Sequence, residues 1–242
     1  MKKIPTNKMN ITVIIPAAGQ GKRFGNKLPK QFLNLNGIPV IIRTLMIFDD
    51  IEEIQNVIIA VDSSYKKLLQ DFILQFGIQK KVTFVRGGKE RQDSIFNAIG
   101  LKAVQNSDLI IVHDAVRPLA SQELFKRVIR FTNKFDAVIP GIMPNDTIKC
   151  IDSKGFVHST FLRNNLRKIQ TPQGFKTDVF LDMYRKMKSE KISVTDDAAL
   201  AENAGYKVKI IEGEEQNIKI TTAVDMLLAS SVLKNNEINK QE

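Results

Sequence analysis

Residues 16–25 read Pro-Ala-Ala-Gly-Gln-Gly-Lys-Arg-Phe-Gly, and Pro29-Lys30-Gln31-Phe32 follow shortly after. Side chains this small let backbone N–H groups turn inward on an anion. Pro16, Ala17, Ala18, Gly19 and Gly21 supply the cradle, and Arg23 and Lys30 place cations on either side of its far half. A polyphosphate needs such a pair, because the charge growing on a leaving pyrophosphate must be neutralised. Two commoner loops are excluded by spacing. A dinucleotide fingerprint needs glycine at position 24, where Phe24 stands, and no Gly-Lys-Ser/Thr follows at Walker A spacing. Taken alone, the residues would equally make a glycine-rich turn with two solvated cations.

Two further segments carry polar side chains just past apolar runs. In Arg86-Gly87-Gly88-Lys89-Glu90-Arg91-Gln92-Asp93-Ser94, the glycines allow backbone to approach a base or ribose, and Ser94 offers a hydroxyl. An ordinary strand-to-helix turn would look the same. In His113-Asp114-Ala115-Val116-Arg117-Pro118, Asp114 is suited to a metal-bound phosphate or a substrate hydroxyl, and Arg117 to a substrate phosphate. The alternative is an Asp–Arg pair that fixes the turn. His113 reads as a packed strand-end residue rather than a catalyst. Downstream, Asp146-Thr147-Ile148-Lys149, Arg163, the 170–173 segment, Thr195-Asp196-Asp197 and the 217–222 segment are each weak alone. Thr195 and the two aspartates read as a helix N-terminus. Lys219, in a short strand over 217–220, reads as an edge-strand gatekeeper.

These residues need a scaffold that brings them to one edge. Apolar runs rich in Val and Ile at 11–16, 57–61, 82–85, 109–112 and 137–140 read as strands, and 39–48, 65–76, 90–104 and 122–131 as helices. The alternation implies right-handed βαβ crossovers and an α/β fold with a doubly wound, mostly parallel, Rossmann-like sheet. Ligands then bind beyond the C-terminal ends of the strands. After residue 140 the pattern changes. Strand-like pieces at 147–151 and 156–161, joined by Asp152-Ser153-Lys154-Gly155, predict a β-hairpin with Gly155 available for positive φ. Such an insertion, about 141–164, has little core of its own and either folds back or reaches to a partner. Helices at 177–188 and 196–204, a strand at 207–211 and a closing helix over about 223–233 complete one domain, 1–233, with a polar tail at 234–242.

Composition limits the chemistry. The 242 residues hold one cysteine, Cys150, and two histidines, which excludes an internal disulfide framework and disfavours a zinc site. A reducing, cytoplasmic location is the natural expectation. Lys2 and Lys3 precede the apolar stretch 11–18, but that stretch is eight residues long with Pro16 inside it. It reads as a buried strand rather than a signal peptide, and no apolar run approaches the ~20 residues of a membrane span. The net charge of +10 is equally what a generally lysine-rich proteome would give; as a sign of a ligand it fits a polyphosphate better than nucleic acid, because no basic run is interleaved with stacking aromatics.

In order, PAAGQGKRFG, PKQF, GGKERQDS, HDAVRP, DTIK, QTPQGF, TDDAALAENAG and NIKITT resemble the 2-C-methyl-D-erythritol 4-phosphate cytidylyltransferases of the non-mevalonate isoprenoid pathway. The resemblance spans about residues 11–233. Ribitol-5-phosphate cytidylyltransferases share some blocks, but their first loop usually reads Ala-Gly-Gly with a threonine before the arginine, whereas this chain has Ala17-Ala18-Gly19 and Lys22. The resemblance implies CTP as co-substrate, Mg²⁺ bridging its phosphates, and release of pyrophosphate. It assigns Arg23 and Lys30 to transition-state stabilisation. Ala17, Ala18, Gly19, Gly88, Ser94 and Ala115 fall to nucleotide contacts. Asp114, Arg117, Thr147, Arg163, Thr195 and Lys219 fall to the acceptor, with Arg163 and Lys219 orienting its phosphate. It also implies a homodimer in which the hairpin arm crosses to the second subunit. Two positions depart from relatives: Arg167, where an aromatic residue is usual, and Lys89, acidic in some. Readings from other classes are a non-catalytic nucleotide-binding regulator, which would not need both Arg23 and Lys30, and a nicotinamide oxidoreductase. The latter would rely on Asp62 for ribose and fails on glycine spacing.

Overall fold

The computed structural model describes residues 9–19, 28–192 and 194–238. In chain order the strands are β1 Ile11–Pro16, β2 Asn34–Leu35, β3 Ile38–Pro39, β4 Ile54–Val61, β5 Lys81–Arg86, β6 Leu109–Val112, β7 Ala137–Ile142, β8 Lys149–Ile151, β9 Val157–Thr160, β10 Lys168–Ile169, β11 Gln173–Lys176 and β12 Val208–Glu212. The helices are α1 Val40–Asp49, α2 Ser63–Gln75, α3 Arg91–Phe96, α4 Lys102–Gln105, α5 Gln122–Thr132, α6 Thr177–Glu190, α7 Asp197–Asn203 and α8 Ala223–Ile238.

Strands β5, β4, β1 and β6 lie side by side and parallel. The near-continuous apolar sequences of β1, β6 and the second half of β4 follow from burial on both faces, whereas β5, at the end of the sheet, is half-buried. Alternate side chains of one strand enter different cores. Val13 and Ile15 join Phe48, Leu69 and Phe125 on one face; Ile14 joins Phe175, Phe180 and Tyr184 on the other. The sheet continues from β6 through β11 to β7, and β12 pairs parallel with β7. The α/β class and the mainly parallel sheet are as expected.

Four details differ from the sequence reading. β11 is antiparallel to both β6 and β7, and its sequence, Gln-Gly-Phe-Lys, offers a single apolar side chain as a signal. The helix expected over 90–104 is two short helices. Residues 98, 99 and 101 make i→i−3 bonds between them, at a Gly100 whose presence in a helix interior would cost about 1 kcal/mol. The segment 217–220 is not a strand. Its backbone bonds go to loops: Ile220 N–H donates to the Val116 carbonyl, and the Asn217 carbonyl accepts from Arg117. Finally, α8 continues to Ile238, past the expected end at 233.

β8 and β9 form their own two-stranded sheet. Gly155 turns it at φ +85°, and the Asp152 carboxylate accepts from the backbone N–H groups of Lys154 and Phe156. The hairpin is as the turn chemistry predicts, though shorter. Among the described residues, no helix is long and apolar enough to cross a membrane.

Candidate active site

The loop after β1 is shaped by a buried amide. Gln31 donates from Nε2 to the carbonyls of Ala17 at 2.7 Å and Gly19 at 3.0 Å. With those oxygens drawn to Gln31, the small side chains of 17–19 face a cleft of about 390 Å³. Gln31 was passed over in the sequence because a glutamine beside two candidate cations carries no signal of its own.

The second loop meets the first through glycine. A Cβ on Gly87 would stand 2.1 Å from the Ala18 Cβ, so only glycine lets the ends of β1 and β5 approach this closely. Gly87 N–H donates to the Val61 carbonyl. Gly88 N–H then donates to Ser94 Oγ at 2.9 Å, and that hydroxyl donates to the Glu90 carbonyl. Ser94 thus shapes the loop as well as lining the cleft. Glu90 and Asp93 form a reciprocal capping box at the start of α3.

The strand end at 113–117 is built around a buried histidine. His113 lies edge-on between Phe48 and Phe125, and burial pushes its pKa down to about 3. A neutral ring with Nε2 beside the Arg117 carbonyl donates there, so Nδ1 accepts from the Thr171 hydroxyl. Thr171 Oγ in turn accepts from the Asp114 N–H. His113 is therefore a packed strand-end residue that fixes Asp114.

Asp114 is 6% exposed and faces three cations. Lys219 Nζ lies 2.9 Å from its Oδ2, Arg117 Nε 3.5 Å from the same oxygen, and Arg91 Nε 3.4 Å from Oδ1. Burial alone would raise the carboxyl pKa; Arg91, Lys219 and Arg117 outweigh it and hold the group far below the usual carboxylate range. Asp114 and Lys219 line the first cleft with Ala115, Gly88, Lys30 and the 16–19 loop, and also line a second cleft of about 640 Å³. Thr195 and Arg117 line that second cleft. Arg117 is largely committed, however, because its Nη1 donates to the Asn217 carbonyl at 2.7 Å.

Arg91 borders both clefts as well and was not singled out in the sequence. Its main partner, Asp197 at 2.6 Å, lies 106 residues away, a contact that local pattern cannot foretell. Burial works against its charge, but Asp197 and Asp114 raise its pKa above the ordinary guanidinium value.

Other expected residues stand apart. Thr147 and Arg163 are exposed on the arm and line neither cleft; Arg163 donates to the Asn145 carbonyl beside it. Arg167 turns onto the carbonyls of Asn164 and Leu166, while Lys89 lines the first cleft. Gly21 and Arg23 lie outside the described residues. Among the described residues, no group of three or more His, Cys, Asp or Glu could hold a metal ion.

Comparison with known proteins gives a consistent result. The family model for 2-C-methyl-D-erythritol 4-phosphate cytidylyltransferase matches residues 11–235. A relative of that name from Clostridium botulinum is 40% identical over 218 residues, covering 90% of this chain and 96% of its own. One from Clostridium beijerinckii is 39% identical, covering 93% and 99%. Among solved structures, the 4-diphosphocytidyl-2C-methyl-D-erythritol synthase of Anaerococcus prevotii superposes with a TM-score of 0.82 at 33% identity, covering 94% of this chain and all of the other. The Thermus thermophilus cytidylyltransferase gives 0.74 at 28% identity, with coverages of 93% and 100%.

Proposed function

The chain belongs to the 2-C-methyl-D-erythritol 4-phosphate cytidylyltransferase family, and on that premise we propose how its two adjoining clefts transfer CMP from CTP to 2-C-methyl-D-erythritol 4-phosphate. It is a CTP-dependent nucleotidyltransferase. The observation that carries the reading is the seam: Asp114 and Lys219 border the glycine-loop cleft and the second cleft together. Donor and acceptor phosphates held in these clefts would meet there.

CTP takes the first cleft, with Ala17, Ala18, Gly19, Gly88, Ser94 and Ala115 around the nucleotide. Lys30, with Arg23, takes the charge of the departing pyrophosphate. The acceptor takes the second cleft, with its hydroxyls toward Asp114 and Thr195 and its phosphate toward Lys219. An acceptor phosphate oxygen attacks the α-phosphorus of CTP. A new P–O bond forms, the bond to the α,β-bridging oxygen breaks, and pyrophosphate leaves with that electron pair. Positioning and charge neutralisation then supply most of the catalysis. Mg²⁺ enters on the triphosphate as part of the substrate. Asp114, already engaged by three cations, is poorly suited to bind it.

A second copy completes the acceptor cleft. Ile151, Phe156, Val157 and Leu162 leave more than half of their surface exposed on an arm that packs no core of its own, an arrangement typical of an interaction surface. Thr147 and Arg163 ride on that arm and serve the neighbour's site, Arg163 turning the acceptor phosphate toward the nucleotide. The single cysteine, a free thiol, suits a reducing cytoplasm.

Pyrophosphate release with Mg²⁺ tests the reading, with CTP, UTP and ATP crossed against methylerythritol phosphate, ribitol phosphate and no acceptor. Release with CTP and methylerythritol phosphate alone is expected. Release with ribitol phosphate instead would move the protein to pentitol chemistry, and silence from a folded protein that binds CTP would point to a regulator.

A further inference from the structure

Between the two clefts runs a line of hydrogen bonds that begins in the core. Tyr184, fully buried in α6, donates its hydroxyl to Asp197 Oδ1. Asp197, the first residue of α7, is 1% exposed, and its Oδ2 accepts from Arg91 Nη1 at 2.6 Å. Arg91, the first residue of α3, turns its Nε to Asp114 Oδ1 at 3.4 Å, and Lys219 Nζ sits 2.9 Å from Asp114 Oδ2. Both carboxylates are therefore shared, Asp197 between Tyr184 and Arg91, and Asp114 between Arg91 on Oδ1 and Lys219 with Arg117 on Oδ2, so Arg91 is the link that belongs to both.

We infer that Arg91 is a positioning residue for the transfer step: anchored on Asp197, it fixes the Asp114 carboxylate, which in turn holds the Lys219 ammonium at the seam between the clefts. A guanidinium suits this role because its planar fork holds two acceptors in fixed directions, where an ammonium on a flexible stem would not. The anchor is rigid for a reason visible in the packing. Asp197 is almost wholly enclosed, and Tyr184 lies in the same buried cluster as Phe180, Leu200 and Ala201. Charge points the same way. The cluster of Arg91, Arg117 and Lys219 with Asp114 and Asp197 carries one positive charge in excess, at the place where two phosphates must approach. Removing Arg91 alone would neutralise the cluster and release Asp114 from its fixed orientation.

The inference rests on assigning Asp114 and Lys219 to the acceptor side. Replacing Arg91 alone would strand Asp197 as a buried carboxylate without a counterion, so the test uses the paired variant Arg91→Met/Asp197→Asn, which removes both buried charges together and leaves no donor at position 91 for Asp114. Its folding is checked by thermal unfolding. We expect a fall in kcat of about 10²-fold, the scale of misplacing a reacting group by about 1 Å, a raised KM for methylerythritol phosphate, and a KM for CTP within about threefold of wild type.

Asp114 supplies a readout that a merely structural role would not move. It is faced by Arg91 from α3, by Arg117 from its own loop and by Lys219 from the 217–221 segment, with neutral His113 adjacent. Loss of Arg91 removes the first of the cations that hold the Asp114 pKa down, so any shift in the acid limb of kcat/KM for the acceptor runs to higher pH. Arg91→Lys should recover only part of kcat. A folded double variant with wild-type kcat, acceptor KM and pH profile would overturn the inference. So would a loss of CTP binding as large as the loss of turnover, since Arg91 would then be a nucleotide contact. An inactive wild-type enzyme in the same assay would instead refute the functional reading beneath it.

Discussion

The two halves of the reaction site are made differently. The nucleotide half comes from the ends of β1, β5 and β6 of one chain, and buried groups fix it: Gln31 under the 17–19 loop, Gly87 against Ala18, and Ser94 inside its own turn. The acceptor half has one finished wall, Asp114 with its three cations, but two of its expected residues sit on an exposed arm and line neither cleft. On the proposed reading a triphosphate is gripped by a preformed surface, whereas the acceptor cleft takes Thr147 and Arg163 from a second copy.

That contrast can be pressed by mutation. The largest effect belongs to the leaving-group cation. Lys30→Ala should lower turnover by roughly 10²–10³-fold, the usual cost of one transition-state donor, while thermal unfolding stays near wild type. Unchanged turnover from a folded variant would remove Lys30 from the mechanism.

Gly87→Val tests whether the nucleotide half is rigid. Its Cβ would fall 2.1 Å from Ala18 Cβ, and the loops must part. The expected result is a KM for CTP raised about tenfold, equivalent to about 1.4 kcal/mol, with a stability loss of about 1–3 kcal/mol from overpacking. A change in acceptor KM with CTP unaffected would break the division into halves.

A third test leaves both clefts untouched and reads stability against pH. His113 is neutral and buried, with a folded pKa of about 3 against an ordinary 6.5. Between those values the unfolded chain binds the extra proton, so stability rises with pH across that window and is lost as pH falls through it. This group contributes a slope approaching about 1.4 kcal/mol per pH unit. Chemical denaturation of wild type and His113→Gln between pH 6.5 and 3 should show the flatter dependence in the variant.

What the sequence revealed follows the same line. The α/β sheet and the small-residue loop after β1 were legible because both are local: apolar runs covered on both faces, then Ala-Ala-Gly at a strand end. The hairpin was legible from Asp152 and Gly155. The 217–220 segment was misread because Asn-Ile-Lys-Ile alternates like a strand, while Asn217 spends its polar groups on Gln170, Thr171 and Arg117. Arg91 stayed hidden because its meaning depends on Asp197 and Tyr184, which only the folded chain brings to it. Resemblance to a family named Thr147 and Arg163, but nothing in their surroundings on one chain shows what they serve.

Subunit mixing tests that last point, and with it the claim that the acceptor half is borrowed. Lys30→Ala and Arg163→Ala chains, each nearly inactive alone, are mixed under conditions that let subunits exchange. If the arm acts in the neighbour's site, each heterodimer holds one site with both Lys30 and Arg163 intact, and activity with CTP and methylerythritol phosphate returns. If the mixture stays as inactive as its components although heterodimers form, or if a stable monomer is fully active, the arm does not complete a second subunit's site.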